Sequence, residues 1–152
     1  MKRAIWMAAA LGLATAGLAG CSEAPDPAEA APEGPEGISV TDARLMLPAV
    51  AGNPGAVYFE VKNDGEKNRM LRAAAVAGAG SAMMHTGDMQ ELPQMVVAPG
   101  ESAKFAPGEQ HVMAMDLADS VTAGSQAEVT LTFLGGDTFK FSAEVRAAGD
   151  ER

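Results

Sequence analysis

The sequence contains a single cysteine, Cys21, near its start. A lone cysteine cannot form an intrachain disulfide. No residue after position 21 can serve as a thiolate nucleophile or as a thiolate ligand of a metal ion. For the rest of the chain, these absences exclude a disulfide-stabilised scaffold, cysteine-dependent catalysis and cysteine-ligated metal centres.

Basic residues are also scarce in this protein. Its 152 residues include 11 Lys and Arg against 20 Asp and Glu, which gives a net charge of −9 at pH 7. Affinity for nucleic acid comes from neutralising phosphates with Lys and Arg, so we expect no nucleic-acid partner. The acidic balance predicts a soluble domain that is repelled by anionic surfaces.

Helical periodicity is missing after residue 20, and the alternation typical of strands takes its place. Residues 138–146 read TFKFSAEVR, in which apolar and polar residues alternate, and residues 127–133 (AEVTLTF) alternate in the same way. The intervening LGGD supplies the glycines that a tight hairpin needs. These runs predict two antiparallel strands joined by a tight turn.

Further short strands are predicted upstream of this hairpin. Residues 56–63 and 69–76, joined by DGEK, suggest a second hairpin, and shorter runs are ISVTDARL, MVVA, SAKFA and HVMAMDL. Two APGE segments have the composition of turns. Many short strands separated by Gly and Pro predict an all-β fold, an antiparallel β-sandwich or barrel.

The first residues carry an export signal. Lys2 and Arg3 precede an uncharged run of small and apolar residues that ends in LAGC at positions 18–21. This ending resembles the lipoprotein box of bacteria, in which the peptide is removed before the cysteine and the new N-terminal Cys21 is acylated. Each buried acyl methylene contributes ~0.8 kcal/mol to membrane binding. We therefore expect a periplasm-facing lipoprotein of the bacterial cell envelope, with the lipid anchor as its only contact with the membrane.

Composition divides the chain into four segments. Residues 1–20 are the signal peptide, and residues 21–37 are the lipidated cysteine followed by a Pro/Ala/Glu-rich tether that lacks large apolar residues and is expected to be disordered. Residues 38–147 are the folded domain, and residues 148–152 form a C-terminal tail. Removal of the signal peptide takes away two basic residues and no acidic ones, so the mature net charge is −11.

The two histidines of the chain, His85 and His111, each lie among methionines. They occur in SAMMHTGDM and in HVMAM, and alternate residues of a strand share one face. Thioether and imidazole are donors that suit Cu(I). Methionine is also a common core residue, so on the residues alone a copper site and an ordinary core both stay open. Met83 and Met115, taken singly, are expected in the core.

From residue 38 to about residue 146 the sequence resembles the PCu(A)C family of periplasmic copper chaperones. The resemblance lies in three segments, which are ISVTDARLMLPAVAGNPGAVYFEVKNDG, VVAPGESAKFAPGEQHVMAMDL and VTAGSQAEVTLTFLGGDTFKFSAEV. It implies a cupredoxin-like antiparallel β-sandwich that holds copper at one edge.

The metal motif of that family is a His or Met, about ten residues, a Met, about 21 residues and then His-x-Met. Here 21 residues separate Met89 from His111, and Met113 follows. The first part departs from the pattern, because only TGD lies between His85 and Met89. We interpret this as a shortened hairpin in which Gly87 can take a positive φ. The resemblance implies a metal site of His85, Met89, His111 and Met113, with Met84 and Met95 as reserve ligands.

The resemblance also implies a function. The protein is expected to be a monomeric Cu(I) chaperone and not an enzyme, and its expected recipients are envelope copper proteins, chiefly cytochrome c oxidase. Blue-copper electron transfer is not expected, because such centres need a cysteine thiolate beside two histidines. Binding Cu(I) and handing it on is the chemistry that fits the donors.

Other functions were weighed against the same residues. A zinc site of His85, His111 and Asp88 is chemically reasonable, since zinc accepts imidazole and carboxylate, but it leaves the methionines unexplained. A metal-free envelope lipoprotein acting as an interaction module leaves both His–Met clusters without a role. A hydrolase is not supported, because no serine stands in a nucleophile-elbow pattern.

Overall fold

The computed structural model describes residues 34–150, and within them all regular structure is β. The predicted all-β class is therefore confirmed. The signal peptide, Cys21, most of the tether and the last two residues lie outside the described residues. Nine strands follow one another along the chain: β1 (Ile38–Met46), β2 (Gly55–Asn63), β3 (Arg69–Val76), β4 (Ser81–His85), β5 (Met95–Val97), β6 (Ser102–Phe105), β7 (His111–Met115), β8 (Gln126–Phe133) and β9 (Thr138–Arg146).

The strands form one sheet in the order β4-β7-β2-β1-β9-β8-β3-β5, and β6 pairs with β2 beside this path. The sheet curls into a half-barrel around the core. Every pairing is antiparallel except that of β1 with β9. Strand β1 runs along β2 from Ile38, opposite Asn63, to Met46, opposite Ala56. Within residues 34–150, no helix is long and apolar enough to span a bilayer.

The hairpin predicted from residues 127–146 is confirmed. β8 and β9 pair antiparallel, and their inward residues Val129, Leu131 and Phe139 are at most 2% exposed. Gly135 and Gly136 both have positive φ in the connecting turn, which the Gly136 N–H closes by donating to the Phe133 carbonyl at 3.1 Å. The alternation of apolar residues thus places these two strands against the core.

The second predicted hairpin, between β2 and β3, is wrong. β2 pairs with β1, β6 and β7, whereas β3 pairs with β5 and β8, so the two strands are not neighbours. The chain between them crosses from one part of the sheet to another. Local composition resembles a hairpin turn here, but contacts with distant segments decide the path.

Asn63 fixes this crossing, and its side chain is fully buried. Its Nδ2 group donates to the carbonyls of Lys67 at 2.8 Å and Val97 at 2.9 Å, and its Oδ1 accepts from the Gly65 N–H at 3.1 Å. Its backbone N–H donates to Glu101 O at 3.0 Å. One side chain therefore joins the end of β2, the crossing segment and β5, and satisfies the polar groups that the crossing would otherwise bury unpaired.

Both APGE segments are turns, as the sequence predicts. In each, the glutamate N–H donates to the carbonyl of the alanine, at 3.0 Å for Glu101 to Ala98 and 2.9 Å for Glu109 to Ala106. Glycine follows proline with φ near +80° in both, which is the geometry of a type II turn. The second of these turns leads directly into β7.

Candidate metal centre

The candidate site lies on the outer face of the β4–β7 ladder. His85 stands directly opposite His111, and Met83 stands directly opposite Met113. The alternate positions face the core, where Met84 and Val112 are 4% and 0% exposed. Since opposite residues and residues two apart share a face of an antiparallel pair, the two histidines and two methionines occupy one surface.

The rings of His85 and His111 are neighbours. Their centroids lie 6.1 Å apart and their planes are inclined by 20°. The sequence separates them by 25 residues, and the strand register alone brings them together. His111 is 8% exposed, whereas His85 is half-buried, so one imidazole is enclosed and the other reaches the surface.

Each histidine has a backbone carbonyl beside its Nδ1 atom. Nδ1 of His111 lies 3.0 Å from the carbonyl of Glu109, and Nδ1 of His85 lies 3.4 Å from the carbonyl of Met83. A carbonyl oxygen can only accept, so a hydrogen on Nδ1 would satisfy both contacts and leave the Nε2 lone pair for a metal ion. This is the arrangement found in metal-binding histidines, where a bond at one nitrogen orients the other toward the ion.

Tyr58 of β2 packs beside His111, a contact that the sequence motif does not indicate. The two ring centroids lie 6.3 Å apart with a 60° tilt, and the guanidinium carbon of Arg44 lies 5.2 Å from the Tyr58 centroid. These groups continue the His85–His111 row across β2 and β1. The alternation of β2, with Val57 and Phe59 buried, is the sequence signal that places Tyr58 on the outer face.

Two turns meet at the end of the ladder beside the histidines. One, at residues 86–90, is held by the Thr86 N–H donating to Gln90 O at 2.8 Å and by the Met89 N–H donating to Thr86 O at 3.0 Å. The predicted positive φ at Gly87 is wrong, because Met89 takes it instead, at +65°. Gly87 instead allows the two turns to approach closely, since a Cβ added there would overlap the carbonyl of Gly108 in the facing turn.

Comparisons with known proteins agree with this architecture. Residues 38–145 match the family described as "Putative lipoprotein LpqE-like". The chain belongs to the LpqE-like lipoprotein family. It is 30% identical over 138 residues to "Putative lipoprotein Lxx21020" of Leifsonia xyli subsp. xyli (strain CTCB07), covering 86% of this chain and 82% of that relative.

Solved structures similar to the LpqE-like chain show its fold. An apo PCuAC domain from PmoF1 superposes with a TM-score of 0.65 at 24% identity, covering 73% of this chain and 94% of that domain. A copper-bound PCuAC domain from PmoF2 gives 0.64 at 23% identity, covering 73% and 93%. CuI-DR1885 from Deinococcus radiodurans gives 0.64 at 21% identity, covering 79% and 85%. The predicted cupredoxin-like, PCu(A)C-type fold is confirmed.

The other methionines named from the sequence have different positions in this LpqE-like protein. Met89 lies on the turn and is 57% exposed, whereas the reserve ligand Met84 is buried in the core. Met95 lies in β5 opposite Leu71, on a strand that pairs with neither β4 nor β7. The expectation that Met83 belongs to the core is wrong, because its side chain is 41% exposed.

The three-donor zinc site predicted as an alternative is not assembled. Among residues 34–150, no three His, Cys, Asp or Glu side chains come close enough together to hold a metal ion. Asp88 accepts a hydrogen bond from the Thr86 hydroxyl at 2.5 Å within its own turn. The strand register places Met83 and Met113 beside His85 and His111, and their thioethers suit soft ions.

Replacing Gly87 by alanine is expected to separate the two turns and to destabilise the site end of the domain. A side chain forced into a packed position typically costs about 1–3 kcal/mol, and here the obstacle is backbone, which moves less readily than a side chain. Urea unfolding of Gly87→Ala against Gln90→Ala, an exposed residue of the same turn, measures the effect. Equal stability of the two variants would contradict the close approach.

Proposed function

We propose that this protein binds Cu(I) at the outer face of β4 and β7 and delivers it to copper-requiring proteins of the bacterial envelope. The observation that carries the proposal is the pair of neighbouring histidine rings, each with Nδ1 beside a backbone carbonyl, so that Nε2 would be the nitrogen that binds the metal. Methionines flank both rings on the same surface. Copper here is the cargo of the protein.

The donor chemistry favours a monovalent ion. Imidazole and thioether are neutral, so Cu(I) would leave a net charge of only +1 at the site, whereas a divalent ion without anionic ligands is more costly to hold in a partly dry environment. Soft thioether ligands select Cu(I) among the common metals. The absence of a thiolate leaves a site from which a partner can take copper by ligand exchange.

We propose His85, Met89, His111 and Met113 as the ligand set that follows from the family motif. His111 is the most enclosed of the four, Met113 is half-buried beside it, and Met89 is the most exposed, on the turn that follows β4. An enclosed histidine and an exposed methionine suit a carrier, because the outer ligand can leave first during transfer.

The cellular setting is part of the same proposal. Acylation of Cys21 would anchor the mature chain, residues 21–37 would tether the domain of residues 38–147, and the domain would act as a monomer in the periplasm. The LpqE-like family is described as lipoproteins, and two structural relatives are named as copper-bound or Cu(I)-bound. Cytochrome c oxidase is the recipient that the family resemblance implies.

A competitive titration tests the proposal. Protein beginning at Ser22 is mixed with Cu(I) in the presence of a coloured Cu(I) chelator, and in parallel with Zn(II) and a zinc indicator. We expect about one Cu(I) per chain and much weaker zinc binding. Preference for zinc would support the alternative metal, and the absence of any metal uptake would support an interaction module.

A further inference from the structure

Met83 occupies the strand position that completes the histidine–methionine surface. It lies directly opposite Met113, as His85 lies opposite His111, within one uninterrupted antiparallel register. Side chains directly opposite each other in such a pair have Cβ atoms about 4.5–5.5 Å apart. Residues two apart along one strand are separated by roughly 6.5–7 Å. The four side chains therefore project from the corners of a small rectangle.

Two thioethers and two imidazoles at those corners can converge on one ion. Methionine has three rotatable bonds, so the sulfurs of Met83 and Met113 can adjust to an ion beside the two rings without a change of backbone. The surface is also accessible, because Met83 is 41% exposed and Met113 and His85 are half-buried. Met83 therefore places a flexible thioether in solvent next to two histidines that can bind a metal ion.

Met89, which the family motif names, is held differently. It belongs to a turn, not to a strand pair, and it takes a left-handed φ of +65° there. Its neighbouring residues are fixed by hydrogen bonds within the turn and by the packing of Gly87 against the opposite turn. Met83 differs in that the β4–β7 pairing itself sets its position relative to His85, His111 and Met113.

We infer that Met83 supplies a thioether ligand to this copper site, in the position for which sequence spacing names Met89. The inference rests on the proposed function, since it specifies the donor set of the same site. All four ligands then come from two paired strands: β4 contributes Met83 and His85, and β7 contributes His111 and Met113.

The test compares Met83→Leu with Met89→Leu and with Met115→Leu in the full-length protein. Met115 lies on the same face, two residues beyond Met113 and opposite Ser81, so it is the matched control. Leucine keeps the apolar bulk and removes the sulfur. The readouts are the Cu(I) dissociation constant, measured by chelator competition, and the number of sulfur ligands per copper, measured by X-ray absorption.

We expect Met83→Leu to weaken Cu(I) binding by about tenfold or more and to lower the sulfur count by one, with Met115→Leu within about twofold of the unchanged protein. A Met83→Leu variant that binds like the unchanged protein, with its sulfur count intact, overturns the inference. In that case a loss in Met89→Leu would leave the proposed function standing with the ligand set of the motif. Failure of the unchanged protein to bind Cu(I) would refute the proposed function itself.

Discussion

Replacing His111 and Met113 together by alanine is expected to abolish tight Cu(I) binding. Both residues lie on the outer face of β7, one opposite His85 and the other opposite Met83, so the change removes one imidazole and one thioether at once. Loss of even a group that only supports a metal ligand costs 10–100-fold in affinity. The loss of two direct ligands should therefore exceed about 100-fold, measured by competition with a Cu(I) chelator.

The double variant needs a control for damage to the fold, because His111 is almost buried. Met70→Ala removes a half-buried methionine from β3, a strand that pairs with neither β4 nor β7. It should unfold at a lower temperature and still bind copper as the unchanged protein does. If the double variant keeps its affinity while remaining folded, copper is held elsewhere and the site proposed on β4 and β7 is wrong.

Replacing Asn63 by alanine is expected to produce a large loss of stability. The substitution removes three side-chain hydrogen bonds and leaves the carbonyls of Lys67 and Val97 and the N–H of Gly65 without these partners. A buried polar group left unpaired costs about 1–3 kcal/mol. A total loss of about 3 kcal/mol would lower the thermal midpoint of a domain of this size by on the order of 10 °C.

Asn68→Ala provides the comparison for this experiment. Asn68 lies in the same crossing segment but is exposed, and exposed substitutions usually change stability by less than about 0.5 kcal/mol. Thermal unfolding followed by circular dichroism measures both variants. A loss at Asn63 no larger than that at Asn68 would show that the crossing is held by other contacts.

Most strands of this fold could be predicted because alternation of apolar and polar residues is a local signal. The pair β8 and β9 has clear alternation and a turn with two glycines between adjacent strands, and its prediction is confirmed. The prediction that β2 pairs with β3 failed because a local pattern does not show which strand lies beside which. Which strands become neighbours depends on contacts such as that between Asn63 and Val97, 34 residues apart, and no local pattern encodes such a contact.

Part of the candidate site could also be predicted from the sequence, because alternation along a single strand is a local signal. The spacing His111-x-Met113 places both side chains on one face of any strand, and this arrangement is present in β7. Which residues of β4 lie beside His111 and Met113 depends on the register between β4 and β7. Counting residues along the chain favours Met89, whereas pairing across the ladder puts Met83 beside Met113.

The register of β1 against β2 places the start of β1 and the methionine pair at opposite ends of β2. The chain enters the sheet at Ile38, opposite Asn63, whereas Ala56, seven residues back along β2, pairs with Met113. At about 3.3 Å per residue, the entry point and the methionine pair lie roughly 23 Å apart along the strands. If the chain is attached to a membrane through residues before Ile38, as proposed, the methionine pair would lie at the end of β2 remote from the attachment, where a recipient in the aqueous space can reach it.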